Sequence, residues 1–314
     1  PSIACRPAGN APRSVESRSS APDGMGRHCL LFLAALALFF ALGVWLRDLH
    51  RVRAMRWPMA FAALGFLALN LLLSETIWGA KNWLSIAGQT LQPSEFVKIA
   101  YVYAGAATLD RLFRRRNLIL FIAFSAVCVG ALALMGDFGT ALVFFVCFLV
   151  ISFMRSGSFA TLFLAIGGAA LAVMLVLTVK PYVAQRFATW GHAWEDPLNT
   201  GFQQVRTMSA TAAGGLFGRG AGAGWLKNIF AANTDMVFGV VCEELGLIVA
   251  LCCVLSLLLL AVFSVRSAAA GRSSYYVIAS CATLTIFMAQ LALNVFGSLD
   301  LLPFTGVTFP FVSK

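Results

Sequence analysis

What most constrains this chain is a succession of eight apolar runs, near residues 29–46, 57–78, 95–110, 117–135, 139–154, 158–179, 236–265 and 274–299, each about as long as a membrane-crossing helix. With 60% hydrophobic and 11% charged residues among 314, little remains to solvate a soluble globule, whose charged share is about 25%. The same apolar content excludes a disordered chain, which lacks side chains whose burial offsets ordering entropy. The expected fold is an all-α polytopic membrane protein with about eight transmembrane helices and one large extracytoplasmic loop.

The formal charge of +10 sits in short clusters flanking the runs. Placing the Arg47–Arg56 loop inside and alternating puts Arg111, Arg114, Arg115, Arg116, Arg155, Arg266 and Arg272 inside as well. Eleven inside basic residues then face six outside: Lys81, Lys180, Arg186, Arg206, Arg219 and Lys227. That is the positive-inside pattern, and it leaves no contiguous basic face for nucleic acid. The eight cysteines lie mostly inside apolar runs and share no metal-ligand spacing with the three scattered histidines, so neither a zinc nor a redox site is expected.

Residues 1–28 are polar, begin without Met and lack periodicity; they read as a flexible tail or the remnant of a longer upstream segment, with Met25 an alternative start. The soluble stretch of about 180–234 falls outside. It holds GGLFGRGAGAG at 214–224, either a re-entrant turn or a loop approached closely by a ligand, since glycine admits both. No strand precedes it and no GK[ST] follows, so it is not a nucleotide P-loop.

Charges at membrane depth cost several kcal/mol and need a partner or a cavity. Glu95 and Lys98, at i and i+3, share one helix face and either hold helices together as an ion pair or line a cavity. Asp137, in GDFGTAL, either caps the following helix or pairs with Lys98 or a substrate. Asp235 opens the run MVFGVVCEELGLIVALCC where the outer loop meets the membrane. It is either a helix cap or a carboxylate placed to serve as general base or metal ligand for a lipid-linked substrate. Glu243 lies eight residues on, roughly 80° around the helix and about 12 Å deeper, and Glu244 about 180° from Asp235. One of the two is expected to pair across helices.

Five strings taken together, in order and over nearly all the chain from Cys29 to Ser313, resemble the SEDS family (shape, elongation, division and sporulation) represented by RodA, FtsW and SpoVE. They are GAKNWLSIAG with QPSEFVK (79–98), GDFGTALV (136–143), GFQQVRTMSATAAGGLFGRGAG (201–222), NTDMVFGVVCEELG (233–246) and LLPFTGVTFPFVS (301–313). Asn82 stands where the family usually has Arg, and Met236–Val237 where Phe–Ile is common. The resemblance implies a ten-helix protein of the bacterial cytoplasmic membrane, of which the eight runs are helices two to nine; a first and a tenth helix are the departures at either end.

The resemblance further implies peptidoglycan glycosyltransferase activity, polymerising lipid II in elongation, division or sporulation. It places Asp235 as the essential acidic residue, Trp83 as a required outer-loop Trp, and Glu95, Lys98 and Asp137 along a central cavity. It also implies a divalent cation (Mg²⁺ or Mn²⁺), a class B penicillin-binding protein as partner, and other divisome or elongasome membrane proteins. The diphosphate leaving group needs neutralisation, for which the cation with Lys98 or Arg206 is the expectation. Trp83 packs on a sugar or prenyl chain, or belongs to the interfacial aromatic belt. Two other classes use the same charges: a lipid II flippase, or a scaffold without chemistry of its own. Because the charges gather toward the outer half, an enzyme that receives its substrate outside is favoured over a flippase.

Overall fold

The computed structural model describes residues 23–74, 84–86, 89–109, 115–179, 181–271 and 273–313. The chain divides into two compact units, the first reaching Val52 and the second beginning at Arg53. The first carries helix α1 (Asp23–Trp45), which starts six residues before the expected span. A short helix α2 (Leu49–Ala54) follows.

The second unit is a helical bundle, because in lipid each backbone polar group must be satisfied within its own segment. Its helices are α3 (Arg56–Leu73), α4 (Pro93–Leu109), α5 (Arg115–Met135), α6 (Phe138–Ser156), α7 (Phe159–Val179), α11 (Leu247–Ala269) and α12 (Ser274–Ser298). Between α7 and α11 lie α8 (Pro181–Thr189), α9 (Phe202–Gly214), α10 (Val237–Leu245) and two single turns of 3-10 helix. Five helices among the described residues are long and apolar enough to cross a membrane: α3, α5 from Arg116, α6, α11 and α12. Phe32–Trp45 and Phe159–Met174 are shorter apolar stretches. The chain is a multi-pass membrane protein. Among the described residues two strands interrupt the helices: β1 (Leu84–Ile86) pairs antiparallel with β2 (Gln89–Leu91), Leu84 opposite Leu91, in the connection between α3 and α4.

Of the five, α6 is the most buried and α11 the least. α6 packs on α5 and α12, and α4 on α3 and α12. Tyr101 is the hub: fully buried, with its ring against Phe121, Phe124 and Phe144 and its hydroxyl 2.7 Å from Ser125 Oγ. Such a pairing keeps a polar tip satisfied inside an aromatic core. Gly105 lets α4 approach α5, since a Cβ there would lie 2.8 Å from the Phe121 ring.

The expected continuous span at 236–265 is broken. α10 ends at Leu245, Gly246 takes φ +91°, and α11 begins at Leu247. The first two amides of α11 are satisfied from elsewhere, Leu247 N–H donating to Gly215 O (3.0 Å) and Ile248 N–H to Leu216 O (3.3 Å). α10 packs mainly against α9 of the outer loop, and only α11 has the length of a crossing. The run looks continuous in sequence because Val237–Val241 is as apolar as a span, but its apolar face is used to dock α9 and α12.

Candidate functional site

Asp235 lies just before α10, within the electrostatic reach of Arg186 of α8 and of Asp137 at the start of α6, and against Asn294 of α12 and the segment 300–313. Its turn is set by Ala231 at φ +62°, whose carbonyl accepts from Asp235 N–H (2.9 Å), Thr234 N–H (3.2 Å) and Thr234 Oγ1 (3.1 Å). Asp235 does not cap α10, whose N-cap is Met236, without a side-chain bond. The carboxylate instead faces the backbone of Gly306, where a Cβ would stand 2.9 Å from Asp235 Oδ2. Gly306 has φ +67°, a conformation glycine adopts without the penalty other residues incur.

Two side chains, Asn294 and Ser313, tie this segment to the Asp235 turn. Asn294 Nδ2 of α12 donates both to Asp235 O (3.0 Å) and to Val307 O (2.7 Å). Ser313 Oγ donates to Thr234 O and accepts from Phe309 N–H, each at 2.7 Å. Gly139 of α6 lies so close beneath that a Cβ there would be 2.9 Å from Thr305 O. On the outer side, Arg186 of α8 donates to Phe304 O (3.3 Å), and Asp300 accepts from Gln204 Nε2 (2.7 Å) and Gly191 N–H (3.2 Å). The outer loop and the segment bearing Gly306 are therefore fastened to each other.

Burial pushes Asp235 up to about 6; the Thr234 side chain and the Arg186 guanidinium pull it down, and the Asp137 carboxylate adds to the rise. Asp137 caps α6, its Oδ1 accepting from Thr140 N–H at 3.1 Å, so the capping reading of GDFGT holds. Burial raises its pKa as well, with the Thr140 bonds and then Lys98 opposing. Lys98, itself buried, is 2.7 Å from half-exposed Glu95, the ion pair their spacing predicts. Glu95, Lys98, Asp137, Asp235 and Arg186 thus form one electrostatic neighbourhood. Arg206 is placed otherwise: its guanidinium stacks between Phe202 (5.3 Å) and Trp225 (5.8 Å). Trp83 lies outside the described residues.

The glycine loop is folded on α10. Glu243, fully buried, accepts from Trp225 N–H and Leu226 N–H (both 3.0 Å) and sits 3.5 Å from Arg219. Glu244 accepts from Gly222 N–H at 2.8 Å and lies 3.8 Å from Lys227. Backbones touch here: a Cβ at Gly214 would collide with Cys242 O, which is why glycine is required. The cross-helix partner expected for one glutamate is therefore the loop itself.

Among the described residues no cluster of three His, Cys, Asp or Glu can cage a metal. A single carboxylate such as Asp235 would suit a hard cation only if other oxygen ligands came from elsewhere.

Reading the sequence alone misses Arg186, Asn294, Gly306 and Ser313. Asn294 carries a usable signal, since an amide within an apolar span needs a partner, and Gln290 lies one turn before it on the same face. Gly306 and Arg186 carry none, because their partners are 71 and 118 positions away.

Residues 15–314 match the cell cycle protein family FtsW/RodA/SpoVE. The chain is 28% identical over 300 residues to peptidoglycan glycosyltransferase RodA of Mycobacterium tuberculosis, covering 90% of this chain and 64% of that one; it spans less than two thirds of that relative. It is 31% identical over 299 residues to the probable peptidoglycan glycosyltransferase FtsW of Tolumonas auensis, covering 91% and 77%. A solved structure of a peptidoglycan synthase complex that coordinates polymerization and crosslinking superposes with TM-score 0.70 at 25% identity, covering 89% of this chain and 81% of that one. With all but its first fourteen residues matched to one family, the chain belongs to the FtsW/RodA/SpoVE cell cycle proteins.

Proposed function

We propose that this chain is a peptidoglycan glycosyltransferase that polymerises lipid II on the outer face of the cytoplasmic membrane, with Asp235 at the centre of the chemistry. The observation that carries the proposal is a carboxylate with no capping duty, fixed against Gly306 under a folded outer loop and raised by burial to about 6. A pKa in that region leaves the carboxylate ionised at neutral pH yet basic enough to accept a proton.

Lipid II carries an α-linked diphosphate and the polymer is β-1,4-linked, so transfer inverts the anomeric carbon. The acceptor hydroxyl oxygen bonds to that carbon, the bond from carbon to diphosphate oxygen breaks, and the hydroxyl proton passes to Asp235. One carboxylate suffices, unlike the pair of a glycosidase, because the diphosphate leaves as an anion without an acid's help. Arg186, tethered to Phe304 O beside Asp235, and Lys98, behind Asp137, supply positive charge toward the diphosphate. In the alternative role Asp235 would instead hold Mg²⁺ or Mn²⁺, which would neutralise diphosphate charge, and would not itself take the proton. Arg206, held between Phe202 and Trp225, supports the outer loop that covers the acceptor.

A class B penicillin-binding protein is the proposed partner, a reading supported by the likeness to a complex that joins polymerization to crosslinking. The test is lipid II polymerisation by the purified chain in liposomes with Mn²⁺, with and without that partner, wild type beside Asp235→Ala. Polymer from wild type alone is expected. Polymer from both overturns the role of Asp235; polymer from neither, with the partner present, overturns the enzyme reading in favour of a flippase or scaffold.

A further inference from the structure

α12 carries two amide side chains one turn apart, Gln290 and Asn294, both buried in a helix long and apolar enough to cross the membrane. Amides at such positions need hydrogen-bond partners. Both find them in the segment that follows the helix: Gln290 Nε2 donates to Thr308 Oγ1 (3.2 Å) and Asn294 Nδ2 to Val307 O (2.7 Å). Their reach differs. Among the described residues Gln290 bonds to the segment alone, whereas Asn294 gives its second N–H to Asp235 O (3.0 Å), 59 positions earlier in the chain.

One nitrogen therefore fixes the gap between two carbonyls, which can stand no further apart than its two bonds together reach. Those carbonyls flank the contact at the centre of the site. Val307 follows Gly306, against whose backbone the Asp235 carboxylate lies, and the other carbonyl belongs to Asp235 itself. Asp235 N–H donates to Ala231 O (2.9 Å) and Asp235 O accepts from Asn294, so both backbone poles of the residue are held and the direction of its side chain is set before any substrate arrives. Asn294 Oδ1 is buried and has no hydrogen-bond partner among the described residues, so the polar contribution of this side chain is its two donors, made at the cost of an unpaired acceptor. Asn294 is not alone in keeping the segment in place, since Ser313, Arg186 and the close approach of Gly139 hold it too. What Asn294 alone does is join Asp235 to the residue after Gly306 through a single group.

We propose that Asn294 is a positioning residue for Asp235: its amide sets the gap between the Asp235 turn and residues 305–307, and so aims the carboxylate at the acceptor hydroxyl. This role deepens the glycosyltransferase reading and rests on it. Gln290→Leu is the control, because it removes a bond from the same helix to the same segment without touching Asp235. In lipid II polymerisation by the purified full chain in liposomes with the proposed penicillin-binding partner, Asn294→Leu is expected to lower kcat about 100-fold with KM within about twofold, the order of loss for a group misplaced by about 1 Å. Gln290→Leu is expected to keep kcat within about threefold of wild type. A second readout does not need polymer: the thermal midpoint of each background with and without Asp235→Asn, at pH 7 and pH 4, reports how Asp235 is held among Arg186 and Asp137, the charged groups that reach it. The gain of the carboxylate form between the two pH values is expected to fall to about half or less in Asn294→Leu and to persist in Gln290→Leu.

Equal loss of kcat in the two variants overturns the role, as does a rise in KM with kcat unchanged or a midpoint gain that Asn294→Leu leaves intact. No polymer from wild type overturns the glycosyltransferase reading instead, and the midpoint gain then decides whether Asn294 positions Asp235. Should Asn294→Leu not fold, Asn294→Ala, which asks for no added space, is read by the same two measurements.

Discussion

At Asp235, folding and the proposed chemistry make opposite demands. A carboxylate raised to about 6 by burial lies above its ordinary value of about 4, so the native state prefers it protonated. The stabilisation from that preference is full below about pH 4 and is lost as pH rises through about 6. Wild type is therefore expected to gain thermal stability relative to Asp235→Asn between pH 7 and pH 4, and parallel melting curves for the two contradict this. Activity runs the other way: if the ionised form accepts the proton, kcat/KM falls about tenfold per unit below pH 6, measured as polymer formed at subsaturating lipid II. Gly306→Ala tests the same contact from the opposite side, since its Cβ arrives 2.9 Å from Oδ2 at φ +67°. Polymerisation is expected to drop more than tenfold for a stability cost of about 1–2 kcal/mol, the order of a non-glycine residue forced to positive φ. The Asp137 cap is legible in GDFGT because capping is local, whereas the Gly306 contact joins residues 71 positions apart and leaves no local trace.

Among the elements, α10 and the glycine loop depend on two glutamates. Among the described residues the eight apolar runs coincide largely with helix, and five of those helices are long and apolar enough to cross a membrane, because hydropathy over such lengths reports lipid burial. The break at Gly246 is hidden in the sequence because apolar residues that dock α9 resemble those that face lipid. What marks the difference is the pair Glu243–Glu244, too costly in a lipid-facing segment and cheap when the amides of 222, 225 and 226 receive them. Glu243→Ala leaves one buried and one half-buried amide without acceptors and is expected to cost about 3 kcal/mol, read by thermal unfolding in detergent. Trypsin should then cut at Arg219 and Lys227, both tied to α10 in the wild type. An unchanged midpoint and digestion pattern would mean that the loop is held by other contacts.

For the whole molecule, the helices place charge and loops on opposite sides. Asp137, Asp235, the outer loop and segment 300–313 share one end, tied by Gln204 to Asp300 and Arg186 to Phe304, while Arg155 and Arg266 mark the other. Intact spheroplasts carrying Leu198→Cys are expected to react with a membrane-impermeant maleimide, and those carrying Ser267→Cys only after permeabilisation, against wild type as background. The reverse pattern inverts the topology and removes Asp235 from the outer face. The decisive comparison is of Asp235→Asn with wild type, by lipid II polymerisation and thermal midpoint in the same liposomes with the proposed penicillin-binding partner. Polymer is expected to be lost at pH 7.5 with a midpoint equal to or above that of wild type; glycan strands made by Asp235→Asn at the wild-type rate would contradict a role for this carboxylate in the chemistry.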